Sequence, residues 1–506
     1  MLVSVPSVLT LSVTCTLVWI TSSWLKHTRY VRTRNRLGCP PLETYPAYDK
    51  ILGLDFVYAM MAAVKEDRVL EFLHELYANR RSNVWAANFL GKRMVYTTEP
   101  GHIKALSTSH RENFAIEPIR VGNGAITPFT GRGVSSSDGV KWATSRKLVQ
   151  PYFDREGYTN LGRLKGHVDR LIDKIPMDGS SVDMQPLLQR WFLDTSTDFL
   201  FGESVNSLDH EERESPRYDM IKVMKGLRDR LQLGSLLFLH RDSSWLAACK
   251  RIHQFLDEYI DKAYRDYDKQ QRFGRTATYA DGKPRDDFLW TLVTKIPDRL
   301  ELRTQLIGVW IPSNETTSIL TSNVLFALAR HPRVVEKLRA QILAYSDTPI
   351  SFESLRSISY LKWIINETHR LYPVSVQTVR QCVKDTVLPA ADTNTGRFPL
   401  FCAKGDIVHC NRYLMQRDKT IWGLDAEEFR PERWETARPF WAFVPFGGGP
   451  RICPAHVMVD TECSYTIFRI FQRFRSLTVA DSSPYRAVMG IGLSSKSGCK
   501  VSFVSE

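Results

Sequence analysis

Residues 446–455 read Phe446-Gly447-Gly448-Gly449-Pro450-Arg451-Ile452-Cys453-Pro454-Ala455 and are the most informative segment of the chain. Three successive glycines followed by a proline predict a loop whose backbone can come close to a flat, bulky ligand. The loop presents one cysteine, and a thiolate is a strong metal ligand whose charge nearby backbone N–H groups and Arg451 would stabilise. Helical spacing of apolar residues resumes after Cys453, so the cysteine is predicted to lie where a loop enters a helix.

This segment resembles the haem-binding loop of the cytochromes P450, whose pattern is Phe-x-x-Gly-x-Arg-x-Cys-x-Gly/Ala. Phe446, Gly449, Arg451, Cys453 and Ala455 fill that pattern. Four fixed residue types recur by chance in about one window in 100,000, so an accidental match would be unusual. The resemblance implies that Cys453 is the axial thiolate ligand of a haem iron and that Phe446 lies beside the cofactor. The alternative is a buried structural cysteine next to a glycine-rich turn.

A second candidate element is Trp142-Ala-Thr-Ser-Arg146, which follows the turn Ser137-Asp138-Gly139. A tryptophan and an arginine four residues apart share one face of a helix, where an indole N–H and a guanidinium can both reach an anion. In the cytochromes P450 the matching Trp-x-x-x-Arg holds a haem propionate, so the resemblance implies that role for Trp142 and Arg146. The alternative is a core tryptophan beneath a surface arginine.

The apolar stretch 298–330 predicts a long helix, but its middle reads Pro312-Ser313-Asn314-Glu315-Thr316-Thr317. Polar groups in a buried helix are costly unless they face water or a ligand, and a proline there predicts a kink. The segment is similar to the family pattern Ala/Gly-Gly-x-Asp/Glu-Thr-Thr over the haem, which implies that Glu315 and Thr316 deliver protons to bound dioxygen. Pro312 and Ser313 depart from that pattern, and the alternative is an ordinary kinked helix with an exposed polar patch.

Glu367-Thr-His-Arg370 lies on the helix predicted over 360–372, where residues three apart can form an ion pair. Its apolar neighbours indicate burial, and a buried pair requires further partners. In the family, Glu-x-x-Arg binds the arginine of a later Pro-Glu-Arg-aromatic segment, which here is Pro431-Glu432-Arg433-Trp434. The resemblance implies that Glu367, Arg370 and Arg433 hold the fold around the cofactor and perform no chemistry.

The segment 374–380, Val-Ser-Val-Gln-Thr-Val-Arg, predicts an extended strand from its β-branched residues. By position, Arg380 resembles a second propionate ligand of the family, and residues 375–377 resemble a strand that lines the substrate pocket. Arg451 would join Trp142 and Arg146 in neutralising the propionates.

The chain has 506 residues, of which 43% are hydrophobic and 24% charged, and this composition is compatible with one large catalytic domain. Nine cysteines without a CxxC pair or zinc spacing favour a reduced, cytosol-facing compartment over a disulfide framework. The net charge of +13 indicates either a solvated surface or attraction to an anionic membrane and an acidic protein partner. Basic residues are not interleaved with aromatic ones, so nucleic acid is not an expected partner.

Residues 1–25 carry no charged side chain, are mainly apolar and have about the length that a bilayer requires. The next residues are rich in lysine and arginine, which predicts an uncleaved single-pass anchor with the remainder facing the cytoplasm. The alternative is a cleaved secretory signal, although a basic n-region and a small-x-small cleavage site are missing. The predicted organisation is a transmembrane anchor at 1–25, a basic and proline-rich linker at 26–48 and a haem-thiolate catalytic domain at 49–506.

The resemblance covers nearly everything from about residue 40 onward and implies a mainly α-helical fold with a small β-rich lobe. It implies a monooxygenase of the endoplasmic reticulum membrane that inserts one oxygen atom from dioxygen into a hydrophobic small molecule. The resemblance also implies that electrons come from an NADPH-dependent flavoprotein reductase. No phosphate-cradling glycine-rich loop follows a strand in this sequence, which favours nicotinamide and flavin sites on another protein.

The substrate is less defined than the reaction. Residues 198–205 and 379–389 are similar to the fungal branch that includes alkane and fatty-acid hydroxylases, whereas Pro312, Ser313 and Ala455 favour a secondary metabolite such as a polyketide or terpenoid. Two other functions are compatible with the same loop. One is a haem-thiolate isomerase or dehydratase that works without a reductase, and the other is a haem-binding sensor without turnover.

Overall fold

The computed structural model describes the chain except residues 1–4, 79, 81, 275, 280–281, 346–348, 394–395, 491 and 506, and except the side chains of 5–13, 15–17, 19–20, 156, 235 and 391–397. The fold is mainly helical with small sheets, as the sequence predicted.

The helices are α1 (Val5–Arg36), α2 (Leu54–Lys65), α3 (Val69–Ala78), α4 (Pro100–Ser107), α5 (Glu117–Arg120), α6 (Thr127–Thr130), α7 (Gly139–Val149), α8 (Arg155–Thr159), α9 (Leu161–Asp173), α10 (Met184–Phe201), α11 (Ser215–Leu233), α12 (Ser243–Phe273), α13 (Phe288–Val293), α14 (Arg299–Trp310), α15 (Thr316–Ala329), α16 (Pro332–Leu343), α17 (Phe352–Ser357), α18 (Ser359–Leu371), α19 (Arg412–Met415), α20 (Lys419–Trp422) and α21 (His456–Arg473). The strands are β1 (Glu43–Thr44), β2 (Val84–Phe89), β3 (Lys92–Thr97), β4 (Phe114–Ala115), β5 (Ser181–Asp183), β6 (Gln377–Cys382), β7 (Thr386–Thr393), β8 (Gly396–Cys402), β9 (Ile407–Asn411), β10 (Phe474–Val479), β11 (Ala487–Met489), β12 (Leu493–Ser495) and β13 (Lys500–Ser505).

The largest sheet has six strands in the order β1-β2-β3-β9-β6-β4. β2 and β3 form an antiparallel hairpin, and β9 runs parallel to β3 and antiparallel to β6, with Arg380 of β6 opposite Val408 of β9. The sheet therefore fixes the backbone of Arg380. It confirms the predicted strand from Gln377 onward, whereas residues 374–376 lie before the strand.

The main apolar core lies between α15 and α21 and includes α9, α10, α16 and α18. Leu320 and Val324 of α15 and Ile467 and Phe471 of α21 are all fully buried. Each such side chain contributes roughly 1.5–3 kcal/mol by leaving water, which is an upper figure because unfolded chains also bury surface. This packing holds the helix that follows Cys453 firmly against the helix that follows Pro312.

A buried ion network connects α18 to the turn at Pro431–Glu435. The carboxylate of Glu367 accepts hydrogen bonds from Arg370 (Nε, 2.9 Å, and Nη2, 2.8 Å), from Arg433 Nε (2.9 Å) and from Trp434 Nε1 (3.0 Å). Remaining donors of Arg370 reach backbone carbonyls such as that of Gln416, at 2.9 Å. The pairing implied by the family resemblance is confirmed, and the network has the extra partners that a buried charge requires.

The N-terminal helix α1 continues through the basic residues to Arg36, so the first part of the predicted linker at 26–48 is helical, and β1 lies within its second part. Near its end, the Tyr30 ring packs on Phe401, with ring centroids 5.4 Å apart, and under the Arg93 guanidinium, 4.5 Å from the ring centroid.

The predicted anchor at 1–25 falls largely on residues 1–4 and on side chains outside the described part of the chain. Within the described part, none of the helices combines the length and the apolar character that crossing a membrane requires. The predicted membrane-spanning helix is therefore not confirmed.

Candidate functional site

One cavity of about 460 Å³ gathers seven of the eight side chains that the sequence nominated. They are Trp142, Arg146, Thr316, Arg380, Phe446, Arg451 and Cys453. Its walls come from the segment before α7, from α7, α10, α14, α15, β6 and α21, so residues more than 300 positions apart in sequence meet here. The eighth nominated residue, Glu315, does not line this cavity.

The loop before Cys453 has the close backbone contacts that its glycines predicted. Gly449 adopts a φ of 65°, and a Cβ at this position would lie 2.1 Å from the carbonyl oxygen of Ser107. A Cβ on Gly448 would lie 2.4 Å from the ring of Trp441. The Cys453 N–H donates to the carbonyl of Phe446 at 3.0 Å, which closes the loop and presents the sulfur to the cavity. Larger residues at 448 and 449 would displace this backbone.

Cys453 differs from the other cysteines of the described chain. All eight cysteines whose side chains are described are free, and the other seven are buried. Burial raises the pKa of the Cys453 thiol, while the backbone at Ala455 and the guanidinium of Arg146 lower it. The sequence suggested Arg451 as the stabilising cation, but the structure assigns that position to Arg146, whose Nη1 donates to the carbonyl of Ile452 at 2.9 Å.

Arg451 instead faces the start of α7. Its Nη2 donates to the carbonyl of Ser137 at 2.7 Å and to Oδ1 of Asp138 at 2.6 Å, and its guanidinium lies over the Trp142 ring, 4.5 Å from the centroid. Asp138 Oδ2 also accepts from the backbone N–H groups of Ile116 and Glu117, at 2.8 and 2.7 Å. These contacts fix the edge of the cavity where Trp142 and Arg451 meet.

Two further arginines extend this edge. Arg380 donates to the carbonyl of Val379 at 2.8 Å, and burial together with the charges of Arg120 and Arg451 lowers its pKa to about 10. Arg120 of α5 donates to the carbonyl of Ser135, and burial followed by the charge of Arg451 lowers its pKa. Arg120 was not predicted from the sequence, because no motif marks it and only the fold brings it to the cavity.

This arrangement fits a flat, dianionic cofactor with a metal at its centre. Arg120, Arg146, Arg380 and Arg451 line a mostly apolar cavity. Burial lowers the pKa of Arg120 and of Arg380, and repulsion from the charge of Arg451 lowers both pKa values further. Two carboxylates bound among them would relieve that repulsion through charge-assisted hydrogen bonds. The sulfur of Cys453 can at the same time ligate an iron at the centre of the ring.

The predicted kink at Pro312 is a complete break in the helix. α14 ends at Trp310, a 3-10 turn spans Pro312–Asn314, and α15 begins at Thr316. Side chains bond to the carbonyls at the break, with Ser313 Oγ donating to Val309 (2.9 Å), Asn314 Nδ2 to Trp310 (2.8 Å) and Thr316 Oγ1 to Pro312 (2.8 Å).

Thr316 lines the cavity as predicted, whereas Glu315 points toward the turn between β11 and β12. Its Oε2 would lie 3.4 Å from a Cβ on Gly490.

Glu462 of α21 is a cavity residue that the sequence did not reveal. Its carboxyl is buried and accepts a hydrogen bond from the neutral hydroxyl of Thr317 at 3.2 Å. Burial raises its pKa to about 7, against the smaller lowering effects of Thr317 and Arg163. The structure identifies Glu462 by its position on the cavity-facing side of α21. The sequence could not, because a single glutamate within a helix belongs to no motif.

We expect Glu462→Gln to change how stability depends on pH. In the wild type the carboxyl is ionised in the unfolded chain above about pH 4.5 but still protonated in the folded chain up to about pH 7. The unfolding free energy therefore falls as pH rises from 4.5 to 7, by about 3 kcal/mol for this group. Denaturant unfolding at pH 5 and pH 7.5 should show that the glutamine variant gains stability relative to wild type at the higher pH.

The exposed Glu258→Gln on α12 is the control for this experiment, and its pH profile should parallel that of the wild type. Parallel profiles for wild type and Glu462→Gln would contradict the shifted titration of Glu462.

Comparisons of the sequence with known proteins support a haem-thiolate site in this cavity. A family model for Cytochrome P450 matches residues 54–498. Cytochrome P450 monooxygenase apdE of Emericella nidulans is 41% identical over 488 residues, covering 96% of this chain and 92% of that protein. Cytochrome P450 monooxygenase iccC of Talaromyces variabilis is 42% identical over 466 residues, covering 92% of each chain. Cytochrome P450 monooxygenase iliC of Neonectria sp. is 40% identical over 497 residues, covering 97% of each chain.

The chain belongs to the cytochrome P450 family. It is an oxidoreductase of the monooxygenase class whose cofactor is haem with an axial cysteine thiolate. The names of these relatives state an activity and no substrate.

Proposed function

We propose that the chain inserts one oxygen atom from dioxygen into a hydrophobic small molecule bound in the cavity, with electrons from an NADPH-dependent flavoprotein reductase. The observation that carries this proposal is that the sulfur of Cys453 and four guanidinium groups line the same mostly apolar cavity. Cys453 is proposed as the axial ligand, and Arg120, Trp142, Arg146, Arg380 and Arg451 as the residues that hold the two propionates. When bound, haem supplies the activation of dioxygen.

The side chains of the protein position the substrate, exclude water from the cavity and transfer protons. Apolar residues such as Val134, Val309 and Phe199 line the cavity and exclude water around the substrate. Thr316, whose hydroxyl is fixed to the carbonyl of Pro312, is proposed to hold and pass a proton within the cavity. Glu315 lies outside the cavity lining, so we propose that it supplies protons from behind the helix break.

We propose a membrane location at the endoplasmic reticulum, with the catalytic domain facing the cytoplasm. The support is the uncharged stretch 1–25 followed by a lysine- and arginine-rich stretch, with residues 5–36 in one helix. Extraction of the membrane fraction at alkaline pH tests it, because a chain released by this treatment has no membrane-spanning anchor.

A hydrophobic secondary metabolite, such as a polyketide or terpenoid, is the proposed substrate, and a fatty-acid or alkyl chain is the second candidate. The departures from the family pattern at Pro312 and Ser313 support the first class, because they give the cavity wall a shape and polarity of its own. Metabolite profiles of a strain lacking the protein would identify an accumulated compound, which can then be fed to microsomes that contain the chain.

The decisive experiment combines these microsomes with the reductase, NADPH and the accumulated compound. We expect consumption of NADPH and dioxygen that depends on the compound, and a product that is heavier by one oxygen atom. Conversion without NADPH would indicate an isomerase or dehydratase instead. Haem binding without conversion of the compound or of a panel of fatty acids would indicate a sensor, and either result would overturn the proposal.

A further inference from the structure

One wall of the cavity is formed by α14, the 3-10 turn at Pro312–Asn314 and α15. Two hydroxyl groups on this wall already donate their protons to backbone carbonyls. Ser313 Oγ donates to the carbonyl of Val309 at 2.9 Å, and Thr316 Oγ1 donates to the carbonyl of Pro312 at 2.8 Å. Both side chains line the cavity. A hydroxyl has one proton and two lone pairs, so each of these groups can offer only an acceptor to a ligand while these bonds persist.

The helix break at Pro312 is the reason that this wall presents hydrogen-bond acceptors. Pro312 has no N–H and cannot donate to the carbonyl of Gly308, four residues earlier, which also lies on the cavity wall. The hydroxyl of Ser313 bonds to the next carbonyl in the same turn, that of Val309. The sequence Pro312-Ser313 thus places a hydrogen-bond acceptor next to the apolar Val309, on the same wall as the hydroxyl of Thr316.

Donors are found at Ser375 and at the arginine-lined edge of the cavity. Ser375 Oγ accepts from Arg412 Nη2 at 2.6 Å and keeps its own proton for donation, and guanidinium groups line the edge around Trp142. A substrate with a donor group therefore meets an acceptor at Ser313 and donors at these other positions. This difference in polarity between walls favours one orientation of such a molecule.

We propose that Ser313 is a specificity-determining residue whose hydroxyl oxygen accepts a hydrogen bond from an O–H or N–H group of the substrate. The substrate class is then a largely apolar molecule that carries a hydrogen-bond donor close to the carbon that is oxidised. This inference rests on the proposed function and narrows its substrate, since an unsubstituted alkyl chain has no such donor.

The test compares two probes of nearly equal shape, 4-phenylphenol and 4-methoxybiphenyl, of which only the phenol can donate. Their dissociation constants are measured by equilibrium dialysis against the haem-loaded chain and, independently, from the displacement of the main haem absorption band. We expect the wild type to bind the phenol about three- to tenfold more tightly, the effect of one additional hydrogen bond. In Ser313→Ala and Ser313→Gly the ratio should fall to about one, and in Ser313→Thr it should persist.

Ser196→Ala provides a matched control. Ser196 also lines the cavity and also donates to a helix carbonyl, that of Leu193 at 3.1 Å, but it belongs to α10 on a different wall. Its removal should leave the ratio of the two constants unchanged. A wild-type ratio of one, a phenol that does not bind, or a ratio that survives in Ser313→Ala and Ser313→Gly would each overturn the proposal.

Failure of this inference is distinguishable from failure of the proposed function. A chain with a thiolate-ligated haem spectrum but equal affinities for the two probes would refute the role of Ser313 and leave oxygen insertion standing. A chain without that spectrum would refute the proposed function, while dialysis would still report the ratio of the two affinities.

Discussion

Replacement of Cys453 with serine is expected to abolish monooxygenation and the spectrum of thiolate-ligated haem. The thiolate of Cys453 is a soft ligand that donates electron density strongly to iron. A serine hydroxyl in its place would stay protonated and bind iron weakly. We expect turnover to fall by about a thousandfold or more, as when a group acting at the reacting centre is removed. The absorption spectrum of the reduced, carbon monoxide-treated protein and the rate of NADPH-dependent turnover measure the two effects.

Cys463→Ala is the control for this substitution. Cys463 lies ten residues further along, on α21, where it is fully buried in the apolar core rather than facing the cavity. This variant is expected to lose some stability but to keep the spectrum and the turnover per haem. A thiolate spectrum in Cys453→Ser, or its loss in Cys463→Ala alone, would show that the ligand has been misassigned.

The elements predicted best from the sequence are those governed by local rules. A proline within a helical pattern predicted the break before α15, and three glycines before a cysteine predicted a tightly packed loop, where Gly449 indeed has a positive φ. The pairing of Glu367 with Arg370 followed from a helical spacing of three residues. In these cases the information lies within a few residues of the feature, whereas the contact of Glu367 with Arg433, 66 residues later, was implied by the family resemblance alone.

The features missed depend on contacts between distant parts of the chain. Arg451 was expected beside the sulfur, but Asp138, 313 residues earlier, holds it at the start of α7. Arg120 and Glu462 reach the cavity only through the packing of their helices, and a lone arginine or glutamate has no local signature. The end of α1 was also missed, because lysine and arginine favour helix and give no stop signal.

Glu315 shows how a correct motif can lead to an incomplete picture. A continuous helix would keep residues 312–317 in one register, with about 3.6 residues per turn. The 3-10 turn at Pro312–Asn314 has three residues per turn, and the backbone at Glu315 departs from helical values with a φ of −138°. The side chain of Glu315 consequently turns toward Gly490 while Thr316 keeps its place at the cavity.

Removal of the carboxylate at Glu367 is expected to destabilise the fold strongly. Glu367→Ala would leave the guanidiniums of Arg370 and Arg433 buried without their counter-ion, and the indole N–H of Trp434 without its acceptor. Breaking a buried pair in this way costs about 3–5 kcal/mol. That is a large share of the roughly 5–15 kcal/mol by which a folded domain is stable, so we expect little folded protein at 37 °C. Denaturant unfolding and the yield of haem-containing protein measure this loss.

Glu432→Ala, in the same Pro-Glu-Arg segment, separates the Glu367 network from a half-exposed contact between the same two elements. Glu432 pairs with the exposed Lys337, which contributes only about 0–1 kcal/mol, and accepts a hydrogen bond from the buried Tyr360 hydroxyl at 2.8 Å, whose loss costs about 1–3 kcal/mol. We therefore expect Glu432→Ala to lose less stability than Glu367→Ala. If the Glu367 network is purely structural, the molecules of Glu367→Ala that do fold should turn over at the wild-type rate per haem, because none of the network's members lines the cavity. A reduced rate per haem would assign Glu367 a part in the chemistry, and a loss of stability no larger than that of Glu432→Ala would show that the network is not what holds α18 to the Pro431–Glu435 turn.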